Sequence, residues 1–224
     1  MKLVMFDIDG TLVDSQNFIV EAQRRAFAAH NRPAPSRERA LSVVGLSLRE
    51  AFVELTDGQG PVETLAASYK AAYSELRAQA TPDEDKIYPG IDALLRRLAA
   101  RPDCKLGIAT GKSRVGVQKL FARQNWGELF ATVQTADDAI SKPATEMFER
   151  ALRETGIEVK DACMVGDTTF DITMGHRAGA HCIGVCWGYH CHDKLKVAGA
   201  NVLVHSVDEL ETRLDEFFQR SDTP

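Results

Sequence analysis

The sequence predicts an α/β fold: a doubly wound parallel sheet interrupted by an all-helical insertion. Three observations carry this expectation. From Tyr88 onward, short apolar runs alternate with stretches of helical periodicity. Those runs are almost continuously apolar, as strands covered on both faces require. One more such run, Leu3-Val4-Met5-Phe6, opens the chain and is cut off from the others by a block without a strand signal.

Residues 3–6 read as a buried strand, and Gly10 lets the chain turn sharply beyond it. Residues 16–31 read as a helix, with Phe18, Ile19, Ala22 and Ala26 on one stripe. Two shorter helical stretches follow, over 37–44 and 47–56. Then Val62, Leu65, Ala66, Tyr69, Ala72, Tyr73 and Leu76 recur at helical spacing. This block packs on itself and is compatible with a lid. Residues 80–85, Ala-Thr-Pro-Asp-Glu-Asp, read as the return linker. Pro89-Gly90 then introduces a helix through Ala99. A strand over 105–110 precedes a helix over 113–125. A strand over 130–135 precedes a helix over 142–155, with Pro143 suited to its first turn. A strand over 162–165 leads into a helix over 169–178. Strands over 182–186 and 202–204 and a closing helix over 207–218 complete the chain. The expected domains are an α/β unit, residues 1–14 and 85–224, and a helical cap, residues 15–84.

The bulk numbers narrow the function. Apolar residues at 44% and charged residues at 26% describe an ordinary soluble globular protein. A net charge of −5, without Lys/Arg runs, argues against a nucleic-acid surface. Asp7 and Asp9 fall where a secretory signal would begin. The longest uncharged stretch, residues 178–192, is too short and too rich in Gly, His and Cys to span a bilayer. Five cysteines without such a signal point to reduced thiols in the cytoplasm.

Phe6-Asp7-Ile8-Asp9-Gly10-Thr11-Leu12-Val13-Asp14 is the most informative stretch. Two acids at the mouth of a buried strand can hold a hard cation and set one carboxylate against phosphorus. Taken alone, Asp-x-Asp reads first as a solvated turn. The other strand ends change that balance. Thr110-Gly111-Lys112-Ser113 follows the 105–110 strand, Lys142 follows the 130–135 strand, and Gly166-Asp167-Thr168-Thr169-Phe170-Asp171 follows the 162–165 strand. Open α/β sheets bind ligands at this edge. Singly, Thr110 reads as a helix cap, Lys142 as a surface lysine and Asp171 as a helix N-terminal acid. Together they supply acids, a hydroxyl and a lysine in one layer.

The chemistry follows from that set. A phosphoryl group repels a carboxylate nucleophile, and Mg²⁺ offsets the repulsion. Asp7 and Asp167 would bind the metal with the Asp9 carbonyl, while Asp171 would act through water or by orienting neighbours. Lys142 would neutralise the nucleophile and the transferring oxygens. Thr110, with N–H groups near Gly10, Thr11 and Gly111, would bond the equatorial oxygens. Asp9 reaches the leaving oxygen as an acid and later activates water as a base.

Asp7-x-Asp9-Gly10-Thr11, Thr110, Ser141-Lys142-Pro143 and Gly166-Asp167-x-x-x-Asp171 together resemble the haloacid dehalogenase superfamily in its phosphatase branch. The resemblance implies a Rossmann-like core, Asp7 as nucleophile, Asp9 as acid and base, and Mg²⁺ at Asp7, Asp9 and Asp167. The insertion is similar to the helical cap of the phosphoglycolate phosphatase and β-phosphoglucomutase group. Tyr88-Pro89-Gly90 and Trp187-Gly188-Tyr189 also resemble segments of that group. Arg49 reads either as a ligand for a substrate carboxylate or second phosphate, or as a helix-surface arginine.

The leading expectation is a Mg²⁺-dependent cytoplasmic phosphatase for a small phosphorylated metabolite, as a monomer or homodimer. A phosphomutase would use the same residues. A phospho-acceptor signalling module would lack both the insertion and an acid in Asp9's position, and a binding protein without turnover would not need the full catalytic set. The cluster His181-Cys182, Cys186, His190-Cys191-His192 has no standard metal-ligand spacing and reads as structural.

Overall fold

The computed structural model describes residues 1–80 and 86–219. Its centre is a six-stranded sheet in the order β5-β4-β1-β6-β7-β8. The strands are β1 (Lys2–Phe6), β4 (Cys104–Ala109), β5 (Phe130–Gln134), β6 (Ala162–Gly166), β7 (His181–Val185) and β8 (Val202–Val204), all paired in parallel. Every second residue of β1 points to the same face. Val4 and Phe6 pack with Leu94, Leu98, Leu120 and Leu210 on one side. Leu3 and Met5 pack with Met147, Phe148, Ile172 and Leu195 on the other. Covering both faces explains why β1, β6 and β8 carry no polar alternation, whereas β5 at the sheet edge does, through Thr132 and Gln134. Each fully buried Leu, Met or Phe contributes about 1.5–3 kcal/mol relative to exposure.

The helices α5 (Ile91–Ala99), α6 (Arg114–Gln124) and α10 (Val207–Gln219) supply the first face. The second comes from α7 (Glu146–Thr155), α8 (Thr169–Ala178) and α9 (His192–Val197). Between β1 and α5 the chain leaves through β2 (Val13–Asp14) and returns through β3 (Lys86–Ile87). These two short strands pair antiparallel, Val13 with Ile87 and Asp14 with Lys86. Between them lie α1 (Gln16–Ala29), α2 (Arg37–Leu41), α3 (Leu48–Leu55) and α4 (Val62–Gln79). This helical segment has a core of its own, built on Ala26, Phe27, Phe52, Leu65 and Ala66. Its aromatic rings form a chain of contacts, Phe27–Phe52–Tyr69–Tyr73–Phe18, with centroid separations of 5.7–6.3 Å.

Several boundaries differ from the sequence expectation. The helix expected from Lys142 begins at Glu146. Lys142 precedes a proline, which disfavours the α region, and residues 141–144 instead form a turn closed by Ala144 N–H donating to Ser141 O at 3.1 Å. The Lys142–Pro143 peptide is cis. The strand expected at 182–186 lies one residue earlier, and the linker expected at 80–85 falls, from residue 81 on, outside the described residues. No helix among the described residues is long and apolar enough to cross a membrane.

Candidate active site

The sheet register brings three strand ends to one level. Phe6 pairs with Ile108 on one side and Val165 on the other. Asp7, Thr110 and Asp167 therefore emerge side by side at the carboxyl edge. All three are buried. The Asp7 N–H donates to Val165 O at 3.1 Å, which fixes the backbone where the chain leaves the sheet.

Lys142 joins them from the turn after β5. Its Nζ lies 2.6 Å from Asp171 Oδ1 and 3.0 Å from Asp7 Oδ1, and it donates to Ala109 O at 3.3 Å. The contact with Asp7 has ion-pair distance but not hydrogen-bond alignment, so neither Asp7 oxygen has a hydrogen-bond partner. Burial works against the Lys142 charge, but the carboxylates of Asp171 and Asp7 outweigh it and raise its pKa. Burial likewise pushes Asp7 up to about 7, against the pull of Lys142 and with the push of Asp171 and Asp9. Asp167 is raised well above the carboxylate range by burial first, then by Asp171 and Asp7.

The two later acids are held differently. Asp167 accepts from Thr11 Oγ1 at 2.8 Å and from the Tyr189 N–H at 2.9 Å. Asp171 accepts from Thr168 N–H and Thr168 Oγ1 at 3.0 and 2.7 Å, completing a capping box at the start of α8. With its other oxygen on Lys142, Asp171 has both carboxylate oxygens engaged. It is at once a helix-capping acid and the anchor of the buried lysine.

Asp9 faces the helical segment. Its Oδ1 accepts from Ser15 Oγ at 2.6 Å, and its Oδ2 lies 2.9 Å from Lys112 Nζ. Lys112 in turn sits 5.4 Å from the centre of the Tyr73 ring on α4. One ammonium thus touches both the Asp9 carboxylate and the facing helix. The sequence places Lys112 beside Thr110, but nothing in a lone lysine reveals a partner so distant in sequence.

Other contacts also cross between the helical segment and the sheet. Ser47 N–H donates to Ser141 Oγ at 2.7 Å. The His190 ring accepts from Thr169 N–H at Nδ1, 3.0 Å away, which leaves Nε2 to donate to Ser42 O at 3.1 Å. Burial lowers the His190 pKa, in keeping with this neutral tautomer. The sequence groups His190 with the cysteines, whereas the structure ties it to Thr169 and Ser42. Cys182 is buried in β7, and burial pushes its thiol up to about 12.

Thr110 does not cap α6: that position belongs to Ser113, whose Oγ accepts from Gly116 N–H. Thr110 Oγ1 accepts from Lys112 N–H at 3.3 Å. The amides of Gly10 and Thr11, expected to face a phosphate, are used within the turn, donating to Val13 O and Ile8 O. Gly10 has φ 93°, and a Cβ there would lie 2.2 Å from Asp167 Oδ2, so the turn needs glycine for both conformation and space. A Cβ on Gly111 would lie 2.2 Å from Leu46 O in the facing loop. Arg49 lines the cavity, but its guanidinium is exposed and held by Glu50 and Glu63 at 3.1 and 3.0 Å. It is not presented as an uncommitted cation.

A cavity of about 900 Å³ lies between sheet edge and helical segment. Asp7, Asp9 and Thr110 form its floor, and Tyr69, Tyr73 and Phe52 part of its wall. Lys70, Arg77, Lys119 and Arg123 also line it, and so favour anionic ligands.

The residues present fit a hard divalent cation. Carboxylate oxygens of Asp7, Asp167 and Asp171 lie within 4.8 Å of one another, the only such group among the described residues. Asp7 is buried with both oxygens unbonded. The Asp9 carboxylate is not in this group, being turned to Ser15 and Lys112.

Comparison with known proteins converges on one family. The family model for haloacid dehalogenase-like hydrolases matches residues 4–185. A Dickeya dadantii protein named "Probable phosphatase IndB" is 32% identical over 224 residues, covering 99% of this chain and 97% of that protein. "Pyrophosphatase PpaX" of Bacillus cereus is 29% identical over 188 residues, 84% of each chain. The crystal structure of a hydrolase from Pseudomonas syringae superposes with TM-score 0.84 at 26% identity, over 96% of this chain and 99% of that one.

Proposed function

Because the chain belongs to the haloacid dehalogenase-like hydrolase family, we propose that it is a Mg²⁺-dependent phosphatase acting on a small phosphorylated metabolite through an aspartyl-phosphate at Asp7. The observation that carries this reading is the state of Asp7: buried, beside a buried lysine, with both oxygens free of hydrogen bonds. Such a carboxylate is costly as a structural element and suited to bond formation.

The residues divide the work as follows. An Asp7 oxygen attacks phosphorus, and the bond from phosphorus to the ester oxygen breaks. Lys142 balances charge on Asp7 and on the transferring oxygens. Asp9, aimed by Ser15 and Lys112, gives a proton to the departing alkoxide. The same carboxylate then takes a proton from a water that attacks phosphorus, releasing phosphate and restoring Asp7. Positioned proton transfer of this kind accelerates a step by roughly 10²- to 10⁴-fold. Thr110 and Gly111 supply hydrogen bonds to the phosphoryl oxygens. Asp7 and Asp167 would hold Mg²⁺ with the Asp9 carbonyl, and Asp171 would orient Lys142. When bound, the ion offsets repulsion between nucleophile and phosphate.

Residues 1–14 and 85–224 form the catalytic domain in this reading, and residues 15–84 a cap that closes over the substrate and excludes water. The site is cytoplasmic, where phosphorylated metabolites and Mg²⁺ meet. The test is phosphate release from a panel headed by 2-phosphoglycolate and glucose 1-phosphate, with magnesium and with chelator. Release should require the metal and vanish in Asp7→Asn. Full activity of that variant removes Asp7 as nucleophile. Isomerisation of glucose 1-phosphate without free phosphate identifies a phosphomutase instead.

A further inference from the structure

Gln23 on α1 is 4% exposed and lines the cavity above the catalytic floor. Its Nε2 donates to Ala40 O at 3.2 Å. A carbonyl oxygen only accepts, so this bond fixes which end of the amide faces Ala40. The amide oxygen therefore points away from Ala40, and it is a buried acceptor with no donor. Among the described residues, only Asp7 shares that condition. An acceptor left unpaired in a buried wall is costly unless something else supplies the donor.

The surroundings narrow the class of that donor. The same wall presents Ile19, Val43, Phe52 and Tyr69 to the cavity, with Gln23 as its buried amide. A polyhydroxylated chain laid against Ile19, Val43 and Phe52 would find no partner there but the Gln23 oxygen. A planar ring would bury its faces against the apolar and aromatic groups and need an acceptor only for its N–H or O–H. Volume points the same way. At about 900 Å³ the cavity is near the top of the range that encloses drug-sized ligands. A two-carbon phosphate or pyrophosphate would occupy only its floor.

We propose that Gln23 is a specificity-determining residue and that the site takes a phosphomonoester whose organic part is a heterocycle-bearing group with a hydrogen-bond donor for the Gln23 amide oxygen. This inference rests on the phosphatase reading. Uridine 5′-monophosphate is the probe, because its ring is planar, carries an N–H and sits several bonds from the phosphate. Phenyl phosphate is the donor-free control, and 2-phosphoglycolate and pyrophosphate are the small competitors.

In the native enzyme, kcat/KM for uridine 5′-monophosphate should exceed that for either small competitor by roughly tenfold or more. The ratio of kcat/KM between uridine 5′-monophosphate and phenyl phosphate should fall by about tenfold in Gln23→Leu, the scale of one neutral hydrogen bond to a buried acceptor. A ratio between two substrates in one variant is insensitive to the fraction folded. If Gln23→Leu yields no folded protein, Gln23→Met keeps the side-chain length and reads the same ratio. A preference for 2-phosphoglycolate or pyrophosphate overturns the inference, as does an unchanged ratio in the folded variant. Absence of phosphate release from every ester, phenyl phosphate included, is distinct: it overturns the phosphatase reading and this inference with it.

Discussion

Lys142→Met tests the electrostatic construction of the site. Lys142 is fully enclosed, and its ammonium is the partner of two equally enclosed carboxylates, 2.6 Å from Asp171 and 3.0 Å from Asp7. Methionine fills much of the same volume but brings no charge. Asp7, Asp167 and Asp171 are then left in one dry cluster without their cation. Removing one partner of a buried pair costs roughly 3–5 kcal/mol. For a chain of this length each kcal/mol shifts the melting point by about 2–4 °C, so the variant should melt about 6–20 °C below the native protein without divalent metal. Added Mg²⁺ should recover more of the melting temperature in the variant than in the native protein, because the uncompensated carboxylates bind it against a stronger field. Without metal the deficit should shrink as pH falls from about 8 to about 6. Burial raises the native Asp7 pKa to about 7 against the pull of Lys142; without that pull the variant's folded state holds the proton to higher pH, so its stability falls more steeply than the native protein's as pH rises through this window. Scanning calorimetry or fluorescence melting with Mg²⁺ and with chelator reads all three effects. A melting point within about 2 °C of native in chelator would refute the reasoning.

Three further outcomes follow from the same geometry. Asp9→Asn should slow turnover roughly 10²- to 10⁴-fold while the fold persists, and a steady-state rate within threefold of native removes its acid and base roles. Gly111→Ala places a Cβ 2.2 Å from Leu46 O, so the facing loop must retreat; kcat/KM should drop roughly 10- to 100-fold, and an unaltered kcat/KM shows that this approach is not needed for turnover. Arg49→Ala should leave stability within about 0.5 kcal/mol and kcat/KM within about threefold, since its partners are exposed surface acids. A larger loss in kcat/KM would restore Arg49 as a substrate ligand.

The sheet was legible because burial on both faces leaves an unbroken apolar signature. Leu3–Phe6 and 162–166 carry it throughout and 104–109 everywhere but at Lys105, and each is followed directly by the polar residue that the edge presents. The insertion was legible from the helical spacing of Val62 to Leu76 and the lack of strand runs. The ribbon of β2 and β3 was not, since strands of two residues are too short to show a period. The start of α7 at Glu146 is set by the turn over residues 141–144, which Pro143, a residue suited to a helix's first turn, does not reveal. Within the site, residue types with rare chemistry stood out, and residues whose role depends on distant neighbours did not. Lys112 matters through Asp9 and Tyr73, and His190 through Ser42 and Thr169. The amides of Gly10 and Thr11 illustrate the reverse error: a glycine turn looks like an anion cradle until its own carbonyls are found to consume the donors.

The pairing of Val13 with Ile87 places the exit and return of the helical segment on adjacent strands, about 5 Å apart. The segment is therefore grafted at a single point on the sheet's rim, as a plug is seated in a socket. Chains of different length or recognition surface can be exchanged there without altering one rung of the six-stranded ladder. In the proposed reading, the acids of the sheet edge and most of the wall that faces them thus come from separate stretches of the polypeptide that meet only when folded.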